Sequence, residues 1–274
     1  MRKSAAIGVF DSGLGGLTVF KALARRMPEE SLIYFGDTAN VPYGSKSPEA
    51  IARFSTSVAR FLAGRGIKLL VVACNTSSAW ALPEIRRAVK VPVIGVIEPG
   101  ARAALAATRT GRVGVIGTEA TVKSGAYPKA LKALSPRARA TSAACPLFVP
   151  LVEEGWWSGA VVAAVARRYV TPLKAARVDA LILGCTHYPF LKPVLAKAMG
   201  PRVRLIDSAS ETALETERVL SELGLRAPKG GRGRREFYAS DAPARFARLG
   251  RRMLGGAMSR VKLHVFPDFE RIKR

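Results

Sequence analysis

The chain has 274 residues, 49% of them hydrophobic and 23% charged, enough for one large domain or two of about 100–150 residues and unlike a disordered segment. No apolar run approaches the ~20 residues that a membrane span needs, and the start Met1-Arg2-Lys3-Ser4 shows no signal-peptide pattern; three widely spaced cysteines make no disulfide framework, so a cytoplasmic location is expected. The formal charge of +24 attracts anions and would give weak nucleic-acid affinity, but the positive residues are mostly Arg spread along helices, and charge alone assigns no function.

Along the chain, short apolar runs alternate with helical periodicity. Residues 6–10, 31–35, 68–73 and 91–95 read as strands, and helices are predicted near 15–27, 48–65 and 78–89. Continuous apolar strands between helices imply an α/β fold with parallel sheets covered on both faces.

The second half repeats the first. Leu69-Leu70-Val71-Val72-Ala73-Cys74-Asn75-Thr76 aligns with Ala180-Leu181-Ile182-Leu183-Gly184-Cys185-Thr186-His187 at an offset of 111, since 185 minus 74 is 111. Ile7-Gly8-Val9-Phe10 likewise aligns with Val113-Gly114-Val115-Ile116, and Val93-Ile94-Gly95-Val96 with Leu205-Ile206-Asp207-Ser208. Two related α/β units facing each other would bring Cys74 and Cys185 to opposite sides of one cleft, because open α/β sheets bind ligands beyond the carboxyl ends of their strands. Residues 229–235, rich in Gly and Arg, read as a surface loop; a strand at 236–240, a helix near 242–254 and a strand at 261–265 follow and are expected to pack back on the first unit. The division expected is 1–97 with 212–274 as one domain and 98–211 as the other.

A lone cysteine after a strand is usually a small buried hydrophobe. Two at equivalent places in a repeat, each with polar neighbours, suggest a paired chemical task. Thiols ionise near neutral pH, so one on each face of a carbon acid can take a proton and return one from the other side, which inverts a stereocentre without a cofactor. Cys145, beside Pro146, has no counterpart in the repeat and reads as structural. His187 is placed to assist Cys185 by proton transfer or charge; a metal reading of the Cys-Thr-His triplet is weak, since no C-x-x-C or second Cys/His pair is present. Asp11-Ser12-Gly13-Leu14-Gly15-Gly16 lies between a strand and a helix, where amides and a hydroxyl can hold a carboxylate or phosphate. A dinucleotide reading fails, because G-x-G-x-x-G begun at Gly13 needs glycine where Thr18 stands. From the residues alone, the loops 36–44 and 150–155 stay neutral.

Five motifs together, Val9-Phe10-Asp11-Ser12-Gly13-Leu14-Gly15-Gly16, Gly36-Asp37-Thr38-Ala39-Asn40-Val41-Pro42-Tyr43-Gly44, Ala73-Cys74-Asn75-Thr76, Leu151-Val152-Glu153-Glu154-Gly155 and Gly184-Cys185-Thr186-His187-Tyr188-Pro189, closely resemble the bacterial glutamate racemases from about residue 6 to 265. The resemblance implies two α/β domains related by a pseudo-twofold axis, with the active site in the cleft between them. It implies that Cys74 exchanges the proton of D-glutamate and Cys185 that of L-glutamate, with Asp11 assisting the first thiol and Glu153 and His187 the second. Asp11, Ser12, Tyr43, Gly44, Asn75, Thr76, Thr186 and His187 match substrate-contact positions, with Thr118 and Thr121 as additions. It further implies a supply of D-glutamate for peptidoglycan and the cell wall, with neither pyridoxal phosphate nor a metal. The Arg-rich loop and the basic helix after it depart from the family pattern. A racemase of another acidic amino acid, such as aspartate, and a nucleic-acid-binding relic of the fold remain alternatives, and a symmetric homodimer is only the commonest oligomer.

Overall fold

In the computed structural model, which describes residues 2–256, 258 and 260–266, the expected strands, joined by one at Arg139–Ala144 that its polar, half-buried residues do not mark, form two wholly parallel sheets. The first contains β1 (Ile7–Asp11), β2 (Leu32–Gly36), β3 (Leu69–Val72) and β4 (Val93–Gly95). The second contains β5 (Arg112–Gly117), β6 (Arg139–Ala144), β7 (Ala180–Gly184) and β8 (Arg204–Asp207). In the tail, β9 (Arg235–Ala239) and β10 (Val261–Leu263) return to the first sheet. The orders are β10-β9-β2-β1-β3-β4 and β6-β5-β7-β8. Within each repeat the order is therefore second, first, third, fourth, so the internal similarity read from the residues is a similarity of topology.

The central strands β1, β2, β3 and β7 are buried along their whole length, which is why they carry apolar runs without alternation. Helices cover both faces. Ser47 caps the helix Pro48–Gly64 by accepting from Ala50 N at 3.3 Å, with proline at the first helical position. The helix Ser208–Glu222, capped by Asp207, packs on both Leu17–Arg26 of the first repeat and Ile97–Ala107, the segment leading into the second. One fully buried ion pair ties the base of the first sheet: Lys68 Nζ lies 2.5 Å from Glu30 Oε2 and also donates to the carbonyls of Lys3 and Leu225.

Three expectations change. The single helix predicted at 78–89 is two short ones, Asn75–Trp80 and Leu82–Ala88, because Pro83 has no N–H to continue the ladder and starts a new helix instead. The strand predicted at 91–95 begins only at Val93, with Pro92 contributing its carbonyl to Leu70 N. Of the Gly- and Arg-rich loop, Arg235 already belongs to β9, and Gly233 and Arg234 are tied to Pro28 and Ser31. Of the expected first domain, Met1, Ala257, Ser259 and residues 267–274 lie outside the described residues. Among the described residues no helix is long and apolar enough to cross a membrane.

Candidate active site

The carboxyl ends of β1, β3, β5 and β7 converge on one small enclosed cavity of about 30 Å³. Ser12, Tyr43, Gly44, Cys74, Asn75, Thr76, Thr118, Glu153, Cys185, Thr186 and His187 line it, together with Val41, Pro42 and Val149. Thr121 stands one layer behind, and Asp11 is fully buried beneath the Ser12 turn. Cys145 lies apart, in the apolar core of the second sheet. A larger open groove of about 730 Å³, between the helices Leu17–Arg26 and Ser208–Glu222, contains none of the expected site residues.

Both thiols are buried, at 5% and 7% exposure, yet their surroundings differ. Cys74 caps the helix Asn75–Trp80: its Sγ accepts from Ser77 N at 3.5 Å and lies 3.6 Å from Ser12 Oγ. Burial and the charge of Asp11 push this thiol up to about 11, against the pull of Ser77 and Ser12. Cys185 Sγ instead faces His187 Nδ1, and the far nitrogen of that ring, Nε2, lies 3.2 Å from Glu153 Oε1. Burial opposes a charge on His187, but Cys185 and Glu153 together outweigh it and push the imidazole up to about 10. For Glu153, burial is likewise outweighed, by the hydrogen bond and charge of His187 and by the charge of Arg245, so its carboxyl is held below the usual range.

Asp11 connects the two sides. Its Oδ2 accepts from Gly13 N at 3.0 Å and its Oδ1 from Thr186 Oγ1 at 3.4 Å; burial raises its carboxyl despite these donors and the charge of His187. At the opposite end of the cavity Thr76, Thr118 and Thr121 form a closed triangle of hydroxyls with sides of 3.0, 3.0 and 2.9 Å. Thr76 follows β3 and the other two follow β5, so this triangle also spans the two repeats. Gly44 packs against it so tightly that a Cβ would sit 2.6 Å from Thr118 Cβ.

Two supporting groups escaped the reading of the residues. Asp37, buried, accepts from Tyr43 Oη and Ser240 Oγ at 2.6 Å each and from Asn40, which pins the loop carrying Tyr43 and Gly44. Tyr127 Oη donates to Asn75 Oδ1 at 2.6 Å and so fixes which edge of that amide faces the cavity. An acid just after β2 was a visible signal for the first; nothing local marked the second. Among the described residues no three His, Cys, Asp or Glu side chains converge as a metal site.

This arrangement offers two buried thiols at one cavity, hydroxyl and amide donors around them, and a proton-carrying imidazole–carboxylate pair beside Cys185. Residues 8–216 match the Asp/Glu/Hydantoin racemase family. A glutamate racemase of Geobacter metallireducens is 54% identical over 256 residues, 93% of this chain and 95% of the relative. Among solved structures, a glutamate racemase isoform from Bacillus anthracis superimposes with a TM-score of 0.94 at 40% identity over 97% of this chain and 99% of its own. The glutamate racemase of Francisella tularensis, solved in complex with D-glutamate, gives 0.91 at 37% identity over the same shares.

Proposed function

Since the chain belongs to the Asp/Glu/Hydantoin racemase family, we propose that it is a glutamate racemase that interconverts L- and D-glutamate by moving the alpha proton between Cys74 and Cys185. The observation that carries this reading is the placement of two buried thiols at equivalent strand ends of a duplicated fold, both lining one cavity. The relatives' activity supports the choice of glutamate as substrate.

With D-glutamate bound, Cys74 as thiolate takes the alpha proton while Cys185 as thiol delivers one to the opposite face; L-glutamate runs the same steps backwards. The C–H bond breaks toward one sulfur and a new C–H bond forms from the other. Only a proton moves, so the scheme balances without an oxidant or a cofactor. Asp11 and Ser12 serve the Cys74 side, and Glu153 with His187 serves the Cys185 side, where a cationic imidazole stabilises the adjacent thiolate. Thr76, Thr118 and Thr121 suit a carboxylate of the substrate, and Asn75, Thr186, Tyr43 and Gly44 supply the remaining polar contacts. A cavity of about 30 Å³ is smaller than glutamate, so the residues that line it must shift to admit substrate. The product D-glutamate fits a role in supplying peptidoglycan synthesis.

The test is incubation of the protein with L-glutamate in D2O without added cofactor, following optical rotation and deuterium at the alpha carbon. Racemisation with deuterium uptake supports the reading; a folded protein silent on glutamate and active on aspartate overturns the substrate assignment.

A further inference from the structure

The second half-site is held by a contact that reaches it from the other sheet. The helix Pro243–Leu254, which lies between β9 and β10, runs beside the segment that carries Glu153. Arg252 on that helix places its guanidinium carbon 4.3 Å from the ring centroid of Trp157. It also covers Gly155, where a Cβ would come 2.8 Å from Arg252 Nη1 and displace the guanidinium; the φ of +80° at Gly155 separately favours glycine there. Trp157 in turn donates its indole N–H to the carbonyl of Val152, the residue before Glu153, at 3.0 Å. The Trp157 ring lies 4.9 Å from Phe190, three residues after His187. Trp157 thus touches both chain segments that bring Glu153 and His187 together.

Glu153 ends a helix of six residues, Phe148–Glu153, too short to hold its last side chain by its own hydrogen bonds. Two turns before Arg252, Arg245 lies 3.7 Å from Glu154 and also acts on Glu153 by charge. Arg252 contributes through its stacking and cover instead. We infer that Arg252, clamped on Trp157, is a positioning residue that holds Glu153 against His187 across the two units. This rests on the racemase reading for its catalytic meaning, but its geometric content can be measured without turnover.

The chain has two histidines, His187 and His264, so histidine-selective isotope labelling of the full-length protein gives two imidazole signals to titrate by NMR. The groups acting on His187 are Cys185, Glu153 and Asp11. In Arg252→Gln, displacement of Glu153 is expected to lower the His187 midpoint by about one pH unit, a tenfold weaker hold on the proton. Loss of a nearby positive charge alone would move it upward, so the direction separates positioning from simple electrostatics. His264 and the melting temperature are expected to stay put, since Arg252 is exposed. Racemase kcat/KM is expected to fall roughly 3- to 30-fold, with partial recovery in Arg252→Lys, which keeps a cation over the ring.

Trp157→Phe keeps a ring but removes the indole N–H. Combined with Arg252→Gln, it is expected to cost no more than the worse single change, as two successive links between Arg252 and Glu153 should. An unmoved or raised His187 midpoint in Arg252→Gln overturns the inference, as does a double variant whose losses simply multiply. A wild-type protein that racemises nothing while its His187 midpoint falls in Arg252→Gln leaves the positioning role standing and removes the racemase reading.

Discussion

Cys185 Sγ lies 3.7 Å from Nδ1 of His187, a ring that changes charge, whereas among the described residues Cys74 Sγ is hydrogen-bonded to the neutral donors Ser12 and Ser77. The duplicated topology delivers two thiols to one cavity but surrounds them differently, and the differences can be tested one group at a time.

The Cys74 thiol, pushed up to about 11, should react sluggishly near neutral pH. Iodoacetamide labelling followed by peptide mass spectrometry is expected to show Cys74 modification still accelerating between pH 9 and 10, about tenfold per unit. A plateau below pH 9 contradicts the buried, Asp11-facing environment.

Replacing either thiol should block inversion while sparing half the reaction. Cys74→Ser and Cys185→Ser are each expected to lose about 10²–10⁴-fold in racemisation, yet Cys74→Ser should still exchange the alpha proton of L-glutamate with solvent. Measured by deuterium uptake with retained configuration, such exchange marks the surviving thiol; near-normal turnover by either variant rules out the two-thiol scheme.

His187 links stability to pH. Its folded-state value of about 10 lies above the ordinary 6.5, so its contribution is complete below about pH 6.5 and is lost as pH rises through 10. Urea unfolding should show wild type losing on the order of 2 kcal/mol more than His187→Asn between pH 7 and 10; parallel losses would mean that the His187 contacts are weak.

Asp11 has the opposite effect at neutral pH. Burial raises its carboxyl above 3.8, against the charge of His187 and the Gly16, Gly13 and Thr186 donors. The ionised group therefore costs stability that grows as pH rises past 3.8 toward its folded-state value and stays constant above it. Asp11→Asn is expected to be more stable than wild type at pH 7 and nearly inactive. A variant that is both inactive and less stable would mean that the hydrogen bonds to Gly13 and Thr186 outweigh the desolvation.

Gly44 meets Thr118 across the cavity with no room for a methyl group. Gly44→Ala should wedge the loop from the hydroxyl triangle, raising KM for glutamate about tenfold or more with little change in melting temperature. An unchanged KM would show that the loop does not close against Thr118 during turnover.

The sheets and the two cysteines were legible because apolar strands and a repeated strand–Cys pattern are local signals. The break at Ala81 was also announced, by Pro83, but periodicity alone ran through it. Other features depend on residues brought together only by the fold. Asp37 and Ser240 are 203 positions apart, and Lys68 meets the Leu225 carbonyl across 157. Arg252 was legible only as part of a basic helix that departs from the family pattern, and its place over Trp157 was not, since a cation on a ring leaves no periodic trace. Tyr127, which orients Asn75, carried no mark, and the helix that holds it, Ala126–Leu134, was not expected either.

The unlike surroundings of the two thiols have a thermodynamic consequence. Mirror-image substrates have equal free energies in water, so the equilibrium constant of racemisation is unity and kcat/KM must be the same in both directions. The two half-sites are related by rotation and not by reflection, and proteins built of L-residues have no way to make them mirror images. Whatever difference in kcat the imidazole gives at Cys185 must then reappear as a compensating difference in KM, with the faster-turning enantiomer having the larger KM in proportion.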